Sequence, residues 1–194
     1  MTDAPCKKRI ARMAGMLGLM VIWAGLLCPA RSPAQPLAGS EYQVKAGFIF
    51  HFVRFTQWPV SAFSGPDSPL VICIAAQGAD ADILFGLSGK VIRHREIIVR
   101  RYRPAAEADV GPCHLLFIAS EDRAYVRELL SDNKKPNLLT VGETGGFTKM
   151  GGIINFFMKD NRLRFEVSRT AAREAGLKFS AQLLMSAEIV RGGE

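Results

Sequence analysis

The pair Asp160-Asn161 constrains this chain more than any other feature, because it separates two extended runs of different pattern. Residues 153–158 are apolar at every position except Asn155, so both sides need cover and the strand belongs inside a sheet rather than at its margin. Residues 162–167 alternate Arg162, Arg164 and Glu166 with Leu163, Phe165 and Val167, the period of a strand with one wet face. Asp and Asn tolerate the left-handed backbone that a two-residue turn demands, so the two runs are expected to form a β-hairpin.

Elsewhere, short apolar runs alternate with helical spacing. Residues 70–75, 113–119 and 138–141 read as buried strands, and 80–87 as a helix with Gly89 as its C-cap. Residues 91–92 and 97–99 read as extended pieces separated by Arg93-His94-Arg95-Glu96. Ser120 is placed to cap a helix over 121–131, and Ser168 one that ends at Gly176. Ser180 is placed to cap another over 181–190, turning Leu183, Leu184, Ala187 and Val190 to the core. Continuously apolar strands between helices predict an α/β fold, a layered sandwich whose mixed sheet is mainly parallel, with a C-terminal hairpin and flanking helices.

The segment from Ser40 to Pro59 predicts the first helix, with Ser40 as its cap, Glu41 in the first turn and Pro59 as its stop. Val44, Phe48, Phe52 and Phe55, with Ile49 and Val53 beside them, form a broad aromatic face. Such a face either fills a core or meets a partner.

Residues 1–34 read as an export signal. Lys7, Lys8, Arg9 and Arg12 precede an apolar run over 13–27, and Ser32-Pro33-Ala34 suits cleavage after Ala34, with Ala30 as the alternative. The run falls short of the roughly 20 residues a membrane span needs, and Leu27 before Cys28 is too bulky for a lipidation site. Residues 35–40 then form a short spacer and 41–194 one domain. The signal holds five basic residues and one acid, which leaves 20 basic against 17 acidic residues, or +3, out of a formal +7 for the whole chain. The basicity therefore gives no reason to expect nucleic acid as a partner.

Catalytic motifs are absent from the sequence. His51, His94 and His114 lack metal-ligand spacing, each reading as a structural histidine in a helix or strand, and no nucleophile elbow, zinc-protease motif or phosphate loop occurs. The spacing of Gly142, Gly145 and Gly146 is not that of a dinucleotide loop and suits a backbone turn. No metal or cofactor is expected. Cys73 and Cys113 are the cysteines left after the signal; in an oxidising compartment they form either a disulfide, stabilising by about 3 to 4 kcal/mol, or two buried thiols. The basic cluster Arg93, His94, Arg95, Arg100, Arg101 and Arg103 is either a solvated strand edge or a site for an anionic ligand, lipid headgroups or an acidic partner.

The segment from Tyr42 to Pro59, followed in order by Pro69-Leu-Val-Ile-Cys-Ile74, Cys113-His-Leu-Leu-Phe-Ile118, Leu139-Thr-Val-Gly142, Gly151-Gly-Ile-Ile-Asn-Phe156 and Arg164-Phe-Glu-Val167, resembles the YfiR/HmsC-like family of periplasmic regulators. The resemblance implies a periplasmic, non-enzymatic repressor, typically a homodimer, that holds an inner-membrane diguanylate cyclase inactive through its periplasmic region. It also implies lower cyclic di-GMP, restrained biofilm and exopolysaccharide production, and an outer-membrane antagonist. Cys73 and Cys113 match cysteines common in the family, which favours the disulfide. The second cysteine pair of some members has no counterpart over 145–161. A regulator acting on another protein needs a docking surface, for which Phe48, Phe52 and Trp58 are the candidates. The rival reading is a periplasmic small-ligand sensor binding an anion through Arg93, Arg95, Arg100, Arg101 and Arg103.

Overall fold

The computed structural model describes residues 38–102 and 113–190, all within the compact unit Leu37–Glu194. The expected export signal and Arg103 lie outside the described residues. The chain runs from helix α1 (Ala38–Phe55) through β1 (Thr56–Gln57), β2 (Leu70–Ala75), β3 (Val91–Ile92), β4 (Arg95–Arg101) and β5 (Leu115–Ile118) to helix α2 (Arg123–Asp132). It continues as β6 (Leu139–Gly142), β7 (Ile154–Lys159), β8 (Arg162–Ser168), α3 (Arg169–Glu174), β9 (Lys178–Phe179), α4 (Ala181–Met185) and β10 (Glu188–Val190).

The main sheet has eight strands in the order β10-β8-β7-β6-β5-β2-β4-β3. It is parallel at every junction except the two hairpins, β7–β8 and β3–β4. The α/β reading thus holds. So does the expected hairpin: Lys159 pairs with Arg162, and Asp160 and Asn161 take φ of 50° and 55°.

Side chains of the buried strands alternate between two cores. Leu70, Ile72 and Ile74 of β2 face a large core with Ile49, Phe52 and Val53 of α1, Leu84 and Leu87 of a 3-10 segment (Ala79–Leu87), and Leu183 of α4. Val71, Cys73 and Ala75 face a smaller core with Val126, Leu129 and Leu130 of α2 and with Phe147. Phe147 is fully buried between Gly142 and Gly152, and a Cβ on either glycine would lie inside the ring's van der Waals envelope. Those two glycines therefore serve close packing of a ring, a role beyond the turn expected for Gly142.

Several boundaries differ from expectation for local reasons. Helix α1 begins at Ala38, so Ser40 lies inside it and is not its cap. It ends at Phe55, short of Pro59: the Thr56 hydroxyl donates to the Phe52 carbonyl, and the chain turns into β1, which pairs with β9. Pro59 instead begins the 3-10 turn Val60–Ala62. Asp122, not Ser120, caps α2, because its carboxylate accepts from both Ala124 and Tyr125 and places negative charge at the helix start. Residues 80–87 form a 3-10 rather than an α-helical run, with Ser88 rather than Gly89 at its end. Ser168 and Ser180 cap α3 and α4 as expected, their side chains accepting from Ala171 and Leu183. Helix α4, however, stops at Met185, and the expected helix over 181–190 gives way to β10, which pairs parallel with the open side of β8. Val190 is accordingly a strand residue beside Ser168.

Candidate functional site: an arginine-lined cup beneath the first helix

Below the carboxyl end of α1 lies a cavity of about 210 Å³ whose lining includes Trp58, Val60, Phe63, Ile92, Arg93 and Arg95. Several elements supply it, with Val53 of α1 and Leu70 of β2 at its floor among them. Trp58 follows β1, and its indole N–H donates to the Asn137 carbonyl at 2.9 Å. Val60 sits on the 3-10 turn after Pro59 and is 90 % exposed. The arginines come from the β3–β4 hairpin, whose two-residue turn is Arg93-His94, at φ of 49° and 67°. His94 is therefore a turn residue, not the strand histidine expected.

Each of the two arginines is held by main-chain oxygen. Arg93 donates to the carbonyls of Arg54 at 3.0 Å and Thr56 at 3.4 Å, so it covers the end of α1, where helix carbonyls lack partners within the helix. Arg95 donates from Nη1 to the Ser68 carbonyl at 2.6 Å, the Gly65 carbonyl at 3.0 Å and the Ser68 hydroxyl at 3.1 Å. Its guanidinium lies 3.8 Å from the Phe63 ring centroid, and Phe63 stacks in turn on His114 at 4.6 Å. His114 accepts the Val71 N–H at Nδ1, at 3.0 Å, so Nε2 carries the proton that meets the Ala62 carbonyl at 3.0 Å. Burial pushes its pKa below the usual 6.5; the bond to Ala62 opposes that shift and the charge of Arg95 adds to it.

The structure therefore brings together Trp58, Arg93 and Arg95 from the two candidate sets and separates the others. Phe52 is fully buried in the large core against Phe156 and Phe165, so no partner reaches it without opening that core. Phe48 is half-buried and packs on the same rings. Arg101 pairs with Asp82, donates to the Ala76 carbonyl and lies 5.2 Å from the Phe85 ring. Arg100 stands on the other face of β4, its backbone opposite Cys73. Alternation thus sends Arg100 to the other face, and six positions of strand separate Arg101 from Arg95, so the arginine series is dispersed.

Cys73 and Cys113 form a disulfide with their Cα atoms 5.9 Å apart, one residue before His114. Among the described residues, no group of His, Cys, Asp and Glu is arranged to hold a metal ion, and no helix is long and apolar enough to cross a membrane.

Sequence reasoning missed a second feature, a cleft of about 640 Å³ outside the carboxyl ends of β5 and β6. At its wall the ammonium of Lys45, only 5 % exposed, lies 2.5 Å from Glu143 and 2.7 Å from Glu41. Burial alone would push its pKa down, but the hydrogen bonds to Glu143 and Glu41 more than reverse that, and it is raised. Tyr42, 4.4 Å from the ammonium, is raised by burial and then by the charge of Glu143. Lys45 and Glu143 are 98 positions apart, and no local pattern signals such a pair.

No curated protein matches the chain. The YfiR/HmsC-like family model matches residues 42–188, from the second turn of α1 to the start of β10, and the chain belongs to that family.

Proposed function

We propose that this protein is a periplasmic regulator that represses a membrane-bound diguanylate cyclase by binding the cyclase's periplasmic region. The match of residues 42–188 to the YfiR/HmsC-like family carries this reading. Repression then works by population shift: the protein binds the inactive form of the cyclase better than the active form, and the difference in affinity sets the repression. No chemistry on a substrate is required of it. In this reading residues 1–34 direct export and are removed, the working form is a homodimer, and an outer-membrane protein relieves the repression.

The test is cellular cyclic di-GMP in a strain lacking the protein, complemented with the full chain or with a version lacking residues 2–34. Deletion is expected to raise cyclic di-GMP, and only the full chain to restore it. An unchanged level, with the cyclase expressed, overturns the proposal.

A further inference from the structure

We infer that the cup formed by Trp58, Val60, Phe63, Arg93 and Arg95 is a docking site for an acidic protein segment that presents one large apolar side chain. The inference rests on the reading that the protein acts by binding another protein, and it specifies the chemistry of that contact.

The charge of the cup is the first support. Arg101 faces Asp82, Lys45 faces Glu41 and Glu143, and Lys159 faces Glu188. Arg93 and Arg95, by contrast, take only neutral partners, four carbonyls and one hydroxyl, and neither forms an ion pair among the described residues. The nearby acids leave them uncompensated: Asp67 forms no ion pair among the described residues, and Glu96 points to the opposite face of β4. Two positive charges thus stand at the mouth of an apolar cavity where a partner's carboxylates complement them.

Shape and rigidity supply the rest. A volume of about 210 Å³ suits one large side chain and falls below the roughly 300 to 1,000 Å³ of small-molecule pockets. Arg93 turns both Nη groups to main-chain oxygen, so its charge acts at longer range, whereas Arg95 engages only Nη1 among the described residues and keeps its Nη2 and Nε edge for a partner's carboxylate. Val60 is 90 % exposed beside Trp58 and Phe63, and tryptophan and arginine are the residue types that dominate protein interfaces. The stack Arg95-Phe63-His114 and the bond from Trp58 to Asn137 hold the cup in shape, so a partner bears little ordering cost.

The probe is a fluorescein-labelled peptide, Gly-Asp-Glu-Leu-Phe-Glu-Asp-Gly, titrated against the exported protein by anisotropy. Control peptides replace every acid with lysine or the Leu-Phe pair with serine. The acidic apolar peptide is expected to bind at least about tenfold more tightly than either control, and more weakly as salt rises. Val60→Glu and Val60→Lys remove the same apolar contact from a side chain that is almost wholly exposed, so the fold is kept. The glutamate variant should bind at least about tenfold more weakly than the lysine variant. Equal affinity for the lysine peptide, or equal loss in the two variants, overturns the inference. Displacement of the peptide by inorganic phosphate alone marks a small-anion site, and a change of oligomeric state in Val60→Glu marks a second copy as the occupant; either result also overturns it. The peptide assay reads the cup alone and the deletion strain reads the repressor alone, so failure of one is distinct from failure of the other.

Discussion

The two hairpins of the main sheet make the same turn from opposite materials. Asp160-Asn161 and Arg93-His94 each place two consecutive residues at positive φ between paired strands. Asp and Asn enter that region through short polar side chains, whereas for most other side chains it costs roughly 1 to 2 kcal/mol per residue. At Arg93 the cost is offset from a distance, by a guanidinium on the carbonyls of Arg54 and Thr56. One turn follows from its own residues; the other is held by the bonds of Arg93 to the carbonyls of Arg54 and Thr56, where the chain leaves α1.

Removing what supports the second turn should therefore hurt more than any change at the first. The largest effect is expected from replacing Cys73 and Cys113 together with alanine, since the bond ties β2, against which β4 pairs, to the start of β5. Loss of about 3 to 4 kcal/mol in urea unfolding is expected, with hydrogen exchange rising more at Ile97 and Val99 than at Phe156 and Phe165. Next comes Arg93→Ala, which removes both carbonyl bonds and leaves a side chain at positive φ; a loss of about 2 kcal/mol is expected. Arg93→Gly relaxes the backbone as well and should recover about 1 kcal/mol of that loss, whereas Asp160→Ala, at φ of 50°, should cost about 1 kcal/mol, less than Arg93→Ala.

Acid sharpens the comparison further, because His114 lies behind the cup and not behind the β7–β8 turn. Its folded pKa lies below 6.5, so the unfolded chain takes the proton more readily. The His114 contribution to stability is thus complete above 6.5 and is lost as pH falls from there through the depressed folded value. The wild-type urea midpoint should fall between about pH 7.5 and about pH 5.5, and fall less in His114→Gln. The smallest expected effect is a gain: His94→Gly should stabilise by about 0.5 kcal/mol, while Asn161→Gly changes stability by less than about half of that, both read from thermal midpoints.

The same contrast explains what could be read from the sequence. The Asp160-Asn161 turn, the buried strands and the Ser168 and Ser180 caps follow from residues within a few positions of one another, and each is present. Arg93 grips carbonyls 37 and 39 positions away, and Arg95 reaches a loop 27 and 30 positions away, so the cup exists only once the layers have packed. The strand β10 is hidden for a related reason: Val190 fits a helix by spacing and a strand by type, and the open side of β8 decides between them. Ser120 is the cap expected from sequence, and only the placement of the Asp122 carboxylate on two N–H groups moves the helix start two residues on.

The wedge of Phe147 between Gly142 and Gly152 bears on time as well as on packing. An aromatic ring reorients by half-turns, and a half-turn needs free volume on both flat sides. Here both sides are closed by backbone, which moves far less readily than a neighbouring side chain. The ring can turn only when β6 and the chain leading into β7 part for an instant. Slow exchange between the two edges of Phe147 in its NMR spectrum would therefore count the openings of the smaller core.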